Sequence, residues 1–191
     1  MVAVDDALSR FLRDAGEKAQ VYFAASCVER GSDVFFLAVA SEQDRGADVE
    51  TYLRLLEDLW VAAGLSPEER ASHQERIDAF SEMQTEGDDK PPGILAFAFD
   101  AVAAMYDAYT YLVTGDSDNI TYTSNHNLNS AGFIDDAVAG ESNRYEQEIA
   151  TQLRDMETLS ADFASVDLAV LRDQARTIGR GHIEALRTAF H

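Results

Sequence analysis

Two aspartates draw attention because they interrupt the most apolar stretch of the chain. Asp100 and Asp107 are the only charged residues between positions 93 and 113. Because seven residues make about two helical turns, both carboxylates are expected on one face of a helix. Inward-facing carboxylates on the helices of a bundle can bind a di-metal centre, whose diagnostic feature is a Glu-x-x-His pair.

That diagnostic pair is missing from the sequence. None of the four histidines has an acidic residue three positions before it. We therefore expect no metal site and no cofactor. The alternative interpretation is that Asp100 and Asp107 cap a helix, pair with an arginine or face a polar seam between helices.

A second group of polar residues follows in the segment 121–129, TYTSNHNLN. Its amides and hydroxyls, on either side of His126, can hydrogen-bond a ligand or a partner. They are also compatible with a solvated helix face or a loop. The sequence thus provides a set of candidate binding residues and no candidate catalytic residue: Asp100, Asp107, Asn125, His126 and Asn127.

The remaining reactive side chains fit structural roles. Cys27 is the only cysteine, which excludes an internal disulfide, and its apolar surroundings predict an inert core thiol. His182 lies beside the apolar stripe of the last helix and is expected to be a core or boundary residue. Nucleophile-elbow, phosphate-loop, zinc-protease and dinucleotide motifs are all missing. Enzyme activity stays open, but binding is favoured over catalysis.

The charge balance limits the class of partner. The formal net charge is −20, from 35 acidic and 15 basic residues, and only Lys18 and Lys90 among the basic residues are lysines. Such a surface repels nucleic acid and anionic membranes and attracts basic proteins. The other explanation is that the acidity serves solubility or tolerance of high salt.

Composition and periodicity predict a single all-α domain over residues 1–191, with about seven to eight helices. The chain is 46% hydrophobic, has three prolines, and is long enough to bury one sizeable core. The apolar stretch 93–113 is expected to form the buried central helix, because its two aspartates would be costly in a membrane. The acidic beginning of the chain does not look like a leader, so the cytoplasm is the expected location.

Local signals mark the predicted helix boundaries. A helix is predicted to end at Gly31, since glycine commonly closes helices, and a separate apolar helix is predicted over 33–40. Ser66 is followed by Pro67 and, at the third helical position, by Glu69, which predicts a capping box. Further helices are predicted over 48–63, 145–159 and 167–190, and the charges of 145–159 are expected to face outward. We also predict a cap at Asp116 or Asp118, a loop over 85–92 and a break at Gly140.

Four segments together resemble a known family. They are FAASCVERG (23–31), LRLLEDLW (53–60), AFAFDAVAAMYDAY (96–109) and YEQEIATQLRDMETL (145–159). Their order resembles the YjaG-like family of bacterial helical proteins, a domain of unknown function, over roughly residues 8–186. The resemblance implies a single all-α domain and supplies no activity.

We therefore expect an acidic protein that acts by binding, and specifically an immunity-type protein that neutralises a basic partner. One alternative is a helical enzyme, or a metal-binding or small-molecule-binding protein, with an internal site near Asp100, Asp107 and His126. A further alternative is a helical homodimer with a structural or regulatory role. No nucleic acid or membrane is expected as a partner.

Overall fold

The computed structural model describes residues 2–40, 42, 44–84, 93–138, 142–161 and 163–190. Within these ranges there are eight α-helices, three short 3₁₀ helices and no strand, which confirms the all-α class. The eight helices are α1 (Val2–Asp14), α2 (Glu17–Val39), α3 (Gly46–Leu59), α4 (Pro67–Asp78), α5 (Leu95–Thr114), α6 (Asp118–Ala137), α7 (Arg144–Ala161) and α8 (Leu168–Phe190).

Two helices, not one, form the centre of the bundle. The predicted central helix is confirmed as α5, which packs against α2, α4 and α6. Helix α2 is as central, because it contacts α5 and also α6, α7 and α8. A sequence that is apolar except for two aspartates and a few hydroxyl side chains marks α5 as buried. Helix α2 carries polar residues on its buried surface, so its central position is less evident from periodicity.

The predicted helix end at Gly31 is wrong. Helix α2 continues through Gly31 and includes the apolar stretch 33–39. A Cβ atom at Gly31 would lie 3.2 Å from the Asn127 Oδ1 atom and 3.8 Å from the Ala101 Cβ atom. Glycine at this position therefore permits close packing of α2 against α5 and α6, and does not end the helix.

The predicted capping box at the start of α4 is confirmed, and a glycine ends α5. Ser66 and Glu69 form the capping box of α4: the Ser66 hydroxyl accepts from the Glu69 N–H at 3.3 Å, and the Glu69 carboxylate accepts from the Ser66 N–H at 2.8 Å. Gly115 ends α5 with a φ of 72°, a left-handed conformation that favours glycine. Before α6 the N-cap residue is Ser117, without a side-chain cap, and the Asp116 carboxylate accepts from the Asp118 N–H at 3.1 Å.

The polar helix α6 is helical over its full length, in its asparagine-rich half as well. Thr123, Ser124 and Asn127 lie on its buried side, where hydrogen bonds to neighbouring helices satisfy them. The predicted loop 85–92 and the break at Gly140 lie outside the described residues. Within the described residues, no helix is both long enough and apolar enough to cross a membrane.

Candidate functional site: an aspartate–histidine–aspartate cluster between α5 and α6

Helices α5 and α6 form an antiparallel hairpin around the turn at Gly115. The Thr123 hydroxyl of α6 donates to the Ala104 carbonyl of α5 at 3.3 Å, which sets the register of the two helices. One turn further along α6, this register places His126 beside the face of α5 that carries Asp100 and Asp107. The expectation that the two aspartates share a helix face agrees with this arrangement.

His126 lies between the two aspartates. Its Nδ1 atom is 3.1 Å from the Asp100 Oδ1 atom, and its Nε2 atom is 3.3 Å from the Asp107 Oδ2 atom. The Asp100 side chain is 1% exposed, whereas Asp107 is 13% and His126 is 21% exposed. The cluster therefore runs from the core to the rim of the groove between α5 and α6.

The two carboxylates keep the imidazole of His126 protonated. Burial opposes the charged form, but the hydrogen bonds and negative charges of Asp100 and Asp107 outweigh it and raise the pKa of His126 to about 9. At neutral pH both ring nitrogens therefore carry protons and donate. An imidazolium held in this way cannot accept a proton as a general base. The arrangement is an ionic clamp between α5 and α6.

The two asparagines beside His126 point in different directions. Asn125 is exposed, whereas Asn127 is buried and donates its side-chain N–H to the Cys27 carbonyl of α2. The structure thus brings Asp100, Asp107 and His126 together, places Asn125 on the solvent side and assigns Asn127 to the packing of α6 on α2. Among the described residues, no group of three or more His, Cys, Asp or Glu side chains is arranged to hold a metal ion.

The solvent side of α6 forms one continuous face. At 3.6 residues per turn its members fall within an arc of about 80°. Two of them are among the large hydrophobic side chains that remain exposed: Tyr122 at 52% and Phe133 at 40%. The Phe133 ring meets the Phe97 ring of α5 nearly at right angles, with 6.4 Å between their centroids. We call this surface the α6 outer face; it consists of Asp118, Tyr122, Asn125, Asn129, Phe133 and Asp136.

A second ionic cluster, which the sequence did not reveal, lies in the core. Arg30 of α2 is fully buried and donates to Glu148 of α7 from Nε at 3.0 Å and from Nη2 at 2.9 Å. Its Nη1 atom donates to the Asp155 carboxylate at 2.7 Å and to the Ser26 hydroxyl at 2.7 Å. Gln152 completes the network, donating to Glu148 at 2.9 Å.

This cluster corrects the prediction that the charges of α7 face outward. Glu148, Gln152 and Asp155 lie on the buried side of α7, one or two turns apart. The spacing of the three residues indicates that they share one helix face, but it does not indicate whether that face is buried or solvated. Their partner Arg30, however, is more than one hundred residues away in the chain, and a single sequence does not show such a pairing.

Burial and the charge of Arg30 both act on the pKa values of two other side chains, Cys27 and His182. Burial raises the pKa of the Cys27 thiol to about 12, although the charge of Arg30 opposes the shift. The predicted core position of Cys27 is confirmed, and the raised pKa disfavours the reactive thiolate. Burial, together with the charges of Arg144 and Arg30, lowers the pKa of His182 to about 4. His182 is 5% exposed and neutral at physiological pH, which fits its expected core position.

Comparison with protein-family profiles, with curated protein sequences and with solved structures finds no match to this chain. The resemblance to the YjaG-like family therefore stays a prediction.

Proposed function

We propose that this chain acts by binding a basic protein partner, in the manner of an immunity protein that neutralises it. The observation that carries the proposal is the distribution of charge. Several arginines are engaged by carboxylates of the same molecule, whereas many acidic side chains face solvent. An excess of exposed carboxylates produces a negative surface potential that steers basic proteins toward the molecule.

The internal engagement of arginine is seen at three places. Arg30 is buried between Glu148 and Asp155. Arg45, which is 14% exposed, is paired with Glu42, Asp48 and Glu82.

The third place is the contact of α8 with α2 and α3. Arg172 and Arg176 donate to the two oxygens of Glu29 at 2.9 and 2.8 Å, and Arg172 also pairs with Glu57. The Arg172 guanidinium lies 5.5 Å from the centre of the Trp60 ring. Each such pair cancels a carboxylate as well as an arginine, so the net charge of −20 is unchanged and is carried by the other acidic side chains.

The internal-site alternative has less support from the geometry. Asp100 and Asp107 do not line a cavity around an unoccupied centre, because the His126 ring fills the space between them. The homodimer alternative calls for a contiguous apolar patch. In the described part of the chain, the exposed large hydrophobic side chains lie on several elements: Leu53, Val61, Val113, Tyr122, Phe133 and Val170.

The experiment is a two-step binding assay. Lysate of the source cell is passed over the immobilised protein at low salt, and a retained basic protein is then purified and titrated with this chain by calorimetry. We expect the association constant to fall at least about tenfold between roughly 0.05 and 0.3 M salt, because the charges that attract the partner are screened. A neutralising role further requires that the complex inhibit whatever activity the partner has. Retention of no basic protein, or affinity that does not depend on salt, would contradict the proposal.

A further inference from the structure

We propose that the α6 outer face is the docking surface for the basic partner, and that it recognises arginine side chains on that partner. This inference rests on the proposed function and gives it a location. Four observations on this face support an arginine-bearing protein as the partner that covers it.

The first observation is the charge of the hairpin. Between positions 95 and 137 the chain has six aspartates and neither lysine nor arginine. Each of the other six helices in the described part of the chain contains at least one lysine or arginine. The residues of α5 and α6 themselves therefore contribute a negative potential, apart from the protonated His126, which already pairs with two aspartates. Cations from neighbouring elements offset part of it, since Arg70 donates to the Leu112 carbonyl and the charge of Arg144 acts on Asp135.

The second observation is the order of side chains along the face. Asp118 and Asp136 stand at its two ends, about 27 Å apart at 1.5 Å per residue. The aromatic and amide residues lie between them, and all six members of the face are exposed. A carboxylate accepts the planar fork of a guanidinium in bidentate geometry, and a tyrosine ring stacks on it. Arginine therefore fits this surface better than lysine or an apolar side chain.

The third observation is the composition of the face. Tyrosine and phenylalanine are enriched in protein interfaces, where they provide large contact areas at a small loss of conformational freedom. Tyr122 is 52% exposed, so its ring is accessible to a partner. Asn125 and Asn129 add adaptable hydrogen-bonding groups beside it.

The fourth observation is that the opposite side of α6 is held rigidly. Thr123 donates to α5 and Asn127 to α2, and the Ser124 hydroxyl donates to the Gln152 amide of α7 at 2.6 Å. The His126 clamp adds an ionic link to α5. A surface whose backbone is ordered before the partner arrives loses little freedom on binding.

The experiment uses two defined probes, a peptide of nine arginines and a peptide of nine lysines, each titrated into the ¹⁵N-labelled protein. We expect the amide signals of residues 118–136 to shift most with the arginine peptide, and the lysine peptide to bind at least about threefold more weakly because it neither stacks nor forms bidentate pairs.

Matched variants locate the effect. The Asp118→Asn/Asp136→Asn double variant removes two charges from the face, and the Asp5→Asn/Asp6→Asn double variant removes two exposed charges from α1. Tyr122→Ala is compared with Val170→Ala, which truncates a side chain of similar exposure, 51%, on α8. We expect each face variant to weaken arginine-peptide binding about five- to tenfold, and each control less than about twofold.

The outcomes separate this inference from the proposed function. Shifts spread over α1, α3 and α4 as strongly as over α6, or equal losses in face and control variants, would overturn the docking surface. Suppose that a partner is retained from lysate and binds the face variants with the same affinity as the wild type. That result would also overturn the docking surface, but the proposed function would stand. Localised peptide binding with no basic partner retained would instead contradict the proposed function. Circular dichroism of each variant checks that it is folded, and the mapping on the wild-type protein decides if one is not.

Discussion

Arg30 and His126 each hold a positive charge between two carboxylates, but at different depths in the molecule. Arg30 has no exposed surface and donates to Glu148 and Asp155 in the core, whereas His126 is 21% exposed at the rim of the α5–α6 groove. An arginine stays charged under all ordinary conditions, so its burial requires complete hydrogen bonding. A histidine at the rim retains some solvent contact, and its charge depends on pH.

The difference shows that the same charge pattern has two uses in one bundle. The core cluster ties α2 to α7 through the guanidinium of Arg30, which stays charged near neutral pH. The rim cluster ties α5 to α6 with a group that titrates. Four measurements test these two roles, and the expected effect decreases from the first to the last.

The largest effect is expected from Arg30→Met. The substitution leaves Glu148 and Asp155 buried without their cation, and breaking a buried ion pair in this way costs about 3–5 kcal/mol. Urea unfolding measures the change. Arg30→Lys is the control, because it keeps the charge but loses the bidentate geometry of the guanidinium. Its free energy of unfolding should lie between those of Arg30→Met and the wild type. A loss below about 1 kcal/mol in Arg30→Met would show that the core cluster is not needed for stability.

The second effect is the pH dependence that His126 imparts. Its folded-state pKa, about 9, lies above the ordinary histidine value of 6.5. The stabilisation is therefore complete below pH 6.5 and is lost as the pH rises toward 9 and beyond. The shift corresponds to about 3 kcal/mol. In His126→Gln this part of the pH dependence should vanish. Unfolding free energies of the two proteins between about pH 6 and 10 test it; parallel curves would contradict the assigned protonation.

His182 provides the opposite sign. Its folded-state pKa is lowered from 6.5 to about 4, so the unfolded chain binds the proton first as the pH falls. The neutral buried form is favourable above pH 6.5, and stability is lost as the pH decreases toward 4, by about 2 kcal/mol at pH 5. The free energies of unfolding of the wild type and His182→Gln are compared as a function of pH. The two curves should differ mainly by this loss of stability at acid pH. If the variant loses stability in acid as steeply as the wild type, another group is responsible.

The smallest effect is expected from Asp107→Asn. Asp107 is 13% exposed and shares His126 with Asp100, which is 1% exposed, so its replacement should cost only about 1 kcal/mol. Asp100→Asn is the matched substitution and should be the more harmful of the two. Asp100→Asn should also lower the pKa of His126, and ¹H NMR titration of the imidazole measures that pKa. Equal losses in both variants would argue against a gradient of burial across the cluster.

The features that were predictable from the sequence are local. The all-round apolar pattern of α5, the capping box at Ser66 and the common face of Asp100 and Asp107 each depend on spacings of a few residues. Hydrogen bonds and helical periodicity act over that range, so one sequence contains the information.

The features that were not predictable depend on distant partners. A helix face that bears Glu148 and Asp155 resembles a solvated face until Arg30 is placed opposite it, because hydrophobic periodicity does not distinguish water from a polar interior. Gly31 was mistaken for a helix end because its true role, close contact with Asn127 and Ala101, is formed by other helices. The position of His126 between Asp100 and Asp107 likewise required the register of α5 against α6.

The separation between Arg30 and its carboxylates has a consequence for biosynthesis. Glu148 and Asp155 follow Arg30 by 118 and 125 residues. At translation rates of about 5–20 residues per second, Arg30 waits roughly 6–24 s after its own synthesis before Glu148 exists. During that interval the nascent α2 has none of the partners on α7 that later bury Arg30, and the neighbouring Cys27 thiol has yet to acquire its full shielding. The burial of Arg30 is therefore completed only after α7 has been synthesised, when most of the chain already exists.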